Sequence, residues 1–511
     1  MFQADKENYL DLISSMREMH KVIAKTEDRS VRNDYLMDCQ QAAISIGEAL
    51  DGEEKLFPEL YSQASDTVKR LEEYCEQVYR TSQCEDKELD KHVKHLEKML
   101  IKIRNDLHWM QVRYRIVFFP YKADMWDSLE SIYLAARADR RCEAIVCPIP
   151  YYEKDAEKDE WVYKYEGMRF PQEIPITYFE KIDLSDNAID VAYIHNPYDG
   201  FNLVTSVHPD YYSEELRKHV RKLVYVPYYM DGAVFSTGLR GLPVMQNADW
   251  IVMASDYMKE SCRQEPFYKK ILPFGSPKFD RLIHMNQKGK MIPEDWKWAL
   301  EDKKILMLNT SLNEFLEMND LLLKKLWAVF QLVRDHGDVA LIWRPHPLLE
   351  STIRAMRAPL MRAYQDLVRF FHDEKIGIFD TTSDADRAAV LSDGYLGSKY
   401  SSIIRLFEVL GKPIYRFSYD YKEWNKEAMP HDVMMESFKN GFCSRSEGDY
   451  FSMEEDDGLP LNVYISGFSQ FDFTQISQDE KENISRFAAN LDGSIGAKVH
   501  DYMMEVMEEE R

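Results

Sequence analysis

The residues best suited to chemistry lie in the second half of the chain. WRPHP (Trp343–Pro347) follows an apolar run and places Arg344 and His346 in a loop at its end. An arginine there can clamp phosphate oxygens bidentately, and an imidazole can donate to the same group. The same two side chains could instead cap carbonyls and pack a loop, so the pentapeptide alone leaves both readings open. GSKYSSIIRLFEVLGKP (Gly397–Pro413) is the second signal. Gly397 permits a tight turn, Ser401 and Ser402 stand where a helix should begin, and Gly411-Lys412-Pro413 ends it. Free N–H groups, the positive end of a helix dipole and two hydroxyls suit a phosphate. The alternative is a pair of serines acting only as caps. Lys399 adds a charge that a bare cap does not need. Asn309, Thr310 and Ser311 close another apolar run and would face the same edge.

The first half offers HNPYD, with His195, Asn196 and Asp199, and YYMDG, with Asp231 beside Gly232. A carboxylate facing a cleft can take the proton from an acceptor hydroxyl, although Asp-Gly also makes an ordinary turn. No Walker-type GxxxxGK[ST] and no run of His/Cys metal ligands occurs, so neither a metal nor a cofactor is expected. A GxSxG elbow is missing too, which weakens a hydrolase reading.

The elements that must position these residues follow from periodicity. Residues 1–110 carry stripes such as Val93, Leu96, Leu100, Ile103 and Leu107, four and three apart, which predict a helical bundle or hairpin array. Asp51-Gly52 reads as a break between helices, and Pro58 as the first turn of the next. The basic amphipathic run Lys91–Arg104 fits buried packing better than a polyanion surface. This bundle is expected to pack against the rest of the chain or to mediate self-association. From Tyr114 the pattern changes to strand–helix–strand alternation, the unit of a parallel sheet. A polar break near 285–302 precedes a second series of the same kind. The expected division is 1–110 helical, 111–290 a first Rossmann-like lobe on the acceptor side, 291–425 a second on the nucleotide-donor side, and 426–511 an irregular tail closing in a helix over 495–508. Ligands of such sheets bind at the carboxyl ends of the strands.

Composition limits the partners. With 65 Lys+Arg against 88 Asp+Glu the 511-residue chain has a formal charge of −23, a field that repels nucleic acid and anionic lipid. A phosphorylated ligand therefore needs a locally favourable pocket. The seven cysteines are scattered and odd in number, which argues for reduced thiols and a cytoplasmic protein. The N-terminus is too polar for a secretory signal, and no run approaches the length of a membrane span.

In order, the strand ending in NTS, the RPHP loop, and the glycine turn with YSS and GKP resemble the CDP-glycerol glycerophosphotransferase family, the teichoic-acid primases and polymerases. HNPYD, VYVPYYMDG, GSPKFDRL and the closing NLDGSIGAKV extend that resemblance from about Tyr114 to the C-terminus. It implies a GT-B pair of Rossmann-like domains, preceded here by the helical domain. It also implies transfer of a glycerol-phosphate unit from CDP-glycerol to an acceptor hydroxyl on a polymer or lipid-linked glycan, with release of CMP. A lipid-linked acceptor would bring the protein to the inner face of the membrane. His346 matches the family's donor-phosphate histidine, and Ser401 and Ser402 its paired serines. Asp231-Gly232 stands where the polymerases carry His-Gly, and Lys399 where they carry an aspartate; Glu408 is the nearest acid in the following helix. Two other readings remain: a GT-B glycosyltransferase using a nucleotide sugar, and a non-catalytic pair of degenerate lobes that binds a ligand or partner.

Overall fold

The computed structural model describes residues 1–155, 158–186, 189–229, 235–318, 320–382, 384–398, 401–417, 452–454, 461–468 and 484–510. Four helices open the chain: α1 (Gln3–Ile23), α2 (Arg29–Leu56), α3 (Ala64–Gln83) and α4 (Asp86–Trp109). Each buries one stripe; in α4 it is Leu89, Val93, Leu96, Leu100, Ile103 and Leu107. The expected break at Asp51-Gly52 does not occur. The stripe Ala43, Ile46 and Leu50 carries α2 on to Leu56, and one helical glycine costs only about 1 kcal/mol. Pro58 lies in the turn before α3 and not in the helix itself.

The first lobe is a parallel sheet of β1 (Tyr114–Phe119), β2 (Cys142–Val146), β5 (Ile189–Ile194), β7 (Val220–Tyr225), β8 (Trp250–Val252) and β9 (Ile271–Leu272), in the order β2-β1-β5-β7-β8-β9. Alternate residues serve opposite faces. Ile116, Phe118, Tyr193 and Val224 join the core that also holds the α1–α4 stripes, whereas Val117, Phe119, Ile194 and Tyr225 fill the core on the other side. The helical region is thus continuous with the first lobe through shared packing. Three further strands, β3 (Tyr151–Asp155), β4 (Glu160–Lys164) and β6 (Thr205–Val207), form a small antiparallel sheet in the order β4-β3-β6. They leave the carboxyl ends of β2 and β5. Short, half-polar strands of this kind leave no periodic signal in the sequence.

The second lobe repeats the design with β10 (Lys304–Thr310), β11 (Val339–Pro345), β12 (Gly377–Phe379), β13 (Gly394–Gly397), β14 (Ile414–Arg416) and β15 (Ser452–Glu454). Its order, β12-β11-β10-β13-β14-β15, is all parallel and reverses between β10 and β13. That reversal is a topological switch point, where neighbouring crossovers leave in opposite directions and open a crevice. Leu306, Leu308, Leu341 and Trp343 face one core; Ile305, Met307, Ala340 and Ile342 face the other. Two parallel lobes after a helical region give the α/β, GT-B-like architecture expected from the sequence.

Two helices cross between the lobes. Phe279, Leu282 and Ile283 of helix Lys278–Gln287 pack in the second lobe's core with Trp296 and Ile305, so this helix lies across the boundary expected at 290. The closing helix, Ile495–Glu509, returns to the first lobe and buries Val499, Met503, Met504 and Met507 there. Charges gather at this junction. Lys278 pairs with Asp127 at 2.8 Å, and Arg281 with Asp384 at 3.2 Å and Asp386 at 3.5 Å. Burial, with Asp127 nearby, pushes the Asp386 carboxyl up to about 6, above the unfolded value of about 3.9. The folded state therefore holds this proton more tightly than the unfolded chain, and the group's stabilising share is full below the unfolded value and lost as pH rises through about 6. Asp386→Asn removes that dependence. Denaturant unfolding across this range should show the stability of wild type relative to the variant falling as pH rises; parallel profiles would contradict the assignment.

Candidate functional site

The site is built at the switch point of the second lobe. Asn309 and Thr310 end β10, and the Asn309 side chain is buried. Its Nδ2 donates to the Arg344 carbonyl at 2.9 Å, and its Oδ1 accepts from Tyr395 Oη at 3.4 Å. Its carbonyl accepts from Ser398 N at 3.2 Å. Gly397, at φ 137°, approaches so closely that a Cβ would lie 2.1 Å from that same carbonyl oxygen. Glycine is required here for close approach of β13 to β10, a stronger demand than the turn inferred from sequence.

The loops at the strand ends enclose a cavity of about 530 Å³ lined by Asn309, Thr310, Ser311, Arg344, His346, Asp380, Thr381, Thr382, Ser401 and Ser402, among others. Three widely separated sequence signals, NTS, RPHP and the paired serines, therefore meet at one place. Thr310 is fully buried, and its Oγ1 has no hydrogen-bond partner. A buried hydroxyl left unmatched is costly, and this one belongs to a residue of the cavity wall. His346 is half-buried, and burial holds its imidazole below the ordinary value. Its Nδ1 accepts from Leu348 N at 3.2 Å, so the neutral ring carries its proton on Nε2, which can donate to a ligand oxygen. Ser311 Oγ accepts from Glu314 N and from Ser398 Oγ. Ser401 Oγ accepts from Ile403 N at 3.3 Å, but the following helix starts only at Ile404, with Ile403 at its N-cap and no side-chain cap, so the serines do not cap it as the alternative from sequence held. Ser402 is exposed in the cavity wall.

Arg344 corrects its expectation. Its guanidinium is buried against Asp380 at 2.5 Å and donates to the Thr382 carbonyl at 2.5 Å. The bidentate fork expected for phosphate is made to β12's outgoing loop. Asp380 in turn accepts from Thr382 N and Oγ1. These loop residues, with Thr381, were missed from sequence. The signal was present: IFDTT ends an apolar strand in the same series as the other two, with polar residues at its carboxyl end.

The first-lobe expectations are also corrected. His195 is fully buried, with Nδ1 3.1 Å from Ser128 Oγ and Nε2 accepting from Tyr121 N at 3.2 Å. Desolvation pushes it down to about 3, so it is a neutral core residue and does not face an acceptor. Asp199 accepts from Ser213 N at 2.9 Å and Ser213 Oγ at 2.6 Å, which secures the start of helix Ser213–His219. Asn196 is buried and orders its own loop by accepting from Tyr198 N. None of the three lines the second-lobe cavity. Asp231 and Lys399 lie outside the described residues, as does Gly232. Glu408 is buried and pairs with Arg405 at 2.6 Å. Arg405 lines a small cavity of about 30 Å³ with Tyr229, Phe235, Ser276 and Pro277, so residues of both lobes share its wall. Elsewhere, Asp139, Cys142 and His500 bring ligand atoms within 4.8 Å of one another, a grouping the sequence spacing concealed. Asp139 there is already held by Arg141 and His500. Among the described residues no helix is long and apolar enough to cross a membrane.

In two-lobed α/β proteins of this kind, a polar crevice at a switch point is where ligands bind. Over residues 232–442 the chain matches the family described as CDP-Glycerol:Poly(glycerophosphate) glycerophosphotransferase, so the resemblance read from NTS, RPHP and YSS holds for the stretch that carries them. No curated protein matches the chain. Among solved structures, the wall teichoic acid polymerase TagF is similar at 14% identity, covering 86% of this chain and 99% of that one with a TM-score of 0.45. The S. aureus MnaA–UDP co-structure is similar at 12% identity, covering 77% and 97% with a TM-score of 0.44. A putative UDP-N-acetylglucosamine 2-epimerase from Listeria monocytogenes matches at 12%, covering 78% and 98% with a TM-score of 0.45.

The Arg344–Asp380 pair gives a test independent of ligand. Removing one member of a buried ion pair strands the other charge and costs about 3–5 kcal/mol. Asp380→Ala should lower unfolding free energy by that order in a denaturant titration. A loss under about 1 kcal/mol would mean the pair behaves as a solvated one.

Proposed function

We propose that the protein is a transferase that moves a glycerol-phosphate, or a similar polyol-phosphate, from a CDP-activated donor to an acceptor hydroxyl, releasing CMP, in teichoic-acid-like or surface-glycan synthesis. The observation that carries this reading is the convergence of Thr310, His346, Ser401 and Ser402 on one cavity at the switch point, within the stretch that matches the family. The donor's diphosphate would lie across that crevice. His346 Nε2–H, the Thr310 hydroxyl and the two serine hydroxyls would bind its oxygens. Arg344 would act by fixing the Asp380–Thr382 loop and by lending its field at short range.

The acceptor oxygen would attack the phosphorus bearing the glycerol. The bond from that phosphorus to the bridging oxygen breaks, and CMP departs with the electron pair. Positioning and charge stabilisation supply most of the catalysis in such displacements. Asp231, at the acceptor side, would take the hydroxyl's proton. With His346 held below the ordinary histidine value by burial, its neutral donor form persists into weakly acidic solution. Lys399, next to the described Ser398 in sequence, would add positive charge. The acceptor would be a polymer or a lipid-linked glycan.

Binding and turnover test separate parts. Calorimetry with CDP-glycerol should show His346→Ala and Thr310→Val each weakening binding by about tenfold or more, the value of one lost hydrogen bond to a charged group. Asp231→Ala should retain binding and lose CMP release by at least about a hundredfold. Unchanged binding in the first two variants would remove the donor site. Full turnover in the third would remove the base. Preferential binding of UDP- or GDP-sugars over CDP-glycerol would convert the reading to a glycosyltransferase.

A further inference from the structure

The small antiparallel sheet ends on one side in β4, Glu160-Trp161-Val162-Tyr163-Lys164, all five residues exposed. Trp161 is 45% exposed and Tyr163 50%. An edge strand presents unpaired backbone groups and is usually shielded by short length, charged side chains, proline, bulges or a covering element; β4 is short and carries charge at its two ends. β4 has no proline and pairs residue for residue with β3, without a bulge. Among the described residues only β3 pairs with it.

Its direction of hydrogen bonding can be worked out. Lys154 N donates to the Val204 carbonyl at 2.8 Å, on the β6 side of β3. Amides alternate along a strand, so Glu153 and Asp155 face β4. Glu153 is directly opposite Val162, so Val162 turns its N–H and C=O inward. Trp161 and Tyr163 turn theirs to the open edge.

We infer that β4 is a self-complementary edge that pairs antiparallel with β4 of a second copy, about a two-fold axis through Val162. In that register Trp161 lies opposite Tyr163 of the second copy, and each such pair exchanges both its N–H···O=C bonds. Val162 meets Val162 of the second copy as a non-hydrogen-bonded pair, in which side chains approach most closely. Glu160 meets Lys164 of the second copy. The last pairing answers a local conflict. Within one copy Glu160 stands directly opposite Asp155, and like charges so placed repel. Neither Glu160 nor Lys164 has an ion-pair partner among the described residues. Trp161 and Tyr163 share a face with Tyr152, whose ring centroid is 5.9 Å from that of Tyr163. The joined sheet, β6-β3-β4-β4-β3-β6, would carry an aromatic strip across both copies. This interface lies on the first lobe, away from the helical region where sequence alone had put self-association, and it stands whether or not the proposed reaction is correct.

Charge exchange tests it on the full chain. Sedimentation velocity across a concentration series should show wild type dimerising reversibly. Glu160→Lys and Lys164→Glu each place like charges opposite one another and should weaken the dimer by about tenfold or more; the double exchange should restore it. All these positions are exposed, and circular dichroism confirms folding. Val162→Cys should also cross-link into covalent dimers on mild oxidation, because the two thiols meet across the axis. The inference is overturned by a monomer at every concentration, by a dimer indifferent to both single exchanges, or by single exchanges that the double variant fails to rescue.

Discussion

The side chain of Asn309 is the constraint on which the second lobe's chemistry depends. It is buried at the point where strand order reverses, and it joins three strands: β10, which carries it, β11 through the Arg344 carbonyl, and β13 through the Tyr395 hydroxyl, while the Asn309 backbone carbonyl accepts from Ser398 N. A buried amide of this kind costs about 1–3 kcal/mol for each group left unmatched, so only one register of the three strands satisfies it. That register places the ends of β10, β11 and β13 level with one another. The loops then open on a common crevice, with Gly397 tight against the Asn309 carbonyl. This knot of hydrogen bonds adds to the backbone pairing that holds the cavity's strand ends in line.

A second layer of support comes from charge. The molecule carries a formal −23, yet its interior cations are almost all committed. Arg344 holds Asp380, Arg405 holds Glu408, and Lys412 Nζ donates to the carbonyls of Ala389, Val390 and Ser392. Burial pushes Lys412 down to about 7. The described lining that the proposed diphosphate would meet is thus made largely of hydroxyls and the His346 imidazole, with Arg344 already paired. An acidic protein can accommodate a phosphate ligand without a basic patch when the donors are fixed before the ligand arrives.

The fold was legible because its signals are periodic. Stripes at four and three spacing, and short apolar runs closed by polar loops, were enough to read a helical region and two parallel lobes. The site was legible as a set of strand ends, and residues of NTS, of RPHP and the serines Ser401 and Ser402 line one cavity. What sequence could not supply was the commitment of each side chain. His195 and Asp199 stand at a strand's carboxyl end, as a functional residue would, but burial and hydrogen bonding make one a neutral core group and the other a helix cap. Arg344 was read evenly as a clamp or a structural residue, and its partner Asp380 decides the matter from 36 residues away. The antiparallel insertion was invisible for another reason: a strand such as Glu160–Lys164, exposed on both faces, carries no burial pattern to read.

The central claim is that the donor's diphosphate lies in the second-lobe crevice, held by neutral donors. A crystal structure of the full chain with CDP-glycerol tests it most directly. The account predicts phosphate oxygens within hydrogen-bond distance of His346 Nε2 and Thr310 Oγ1, with the Arg344–Asp380 pair intact. Nucleotide bound outside the crevice, or phosphates held by an Arg344 that has left Asp380, would contradict it.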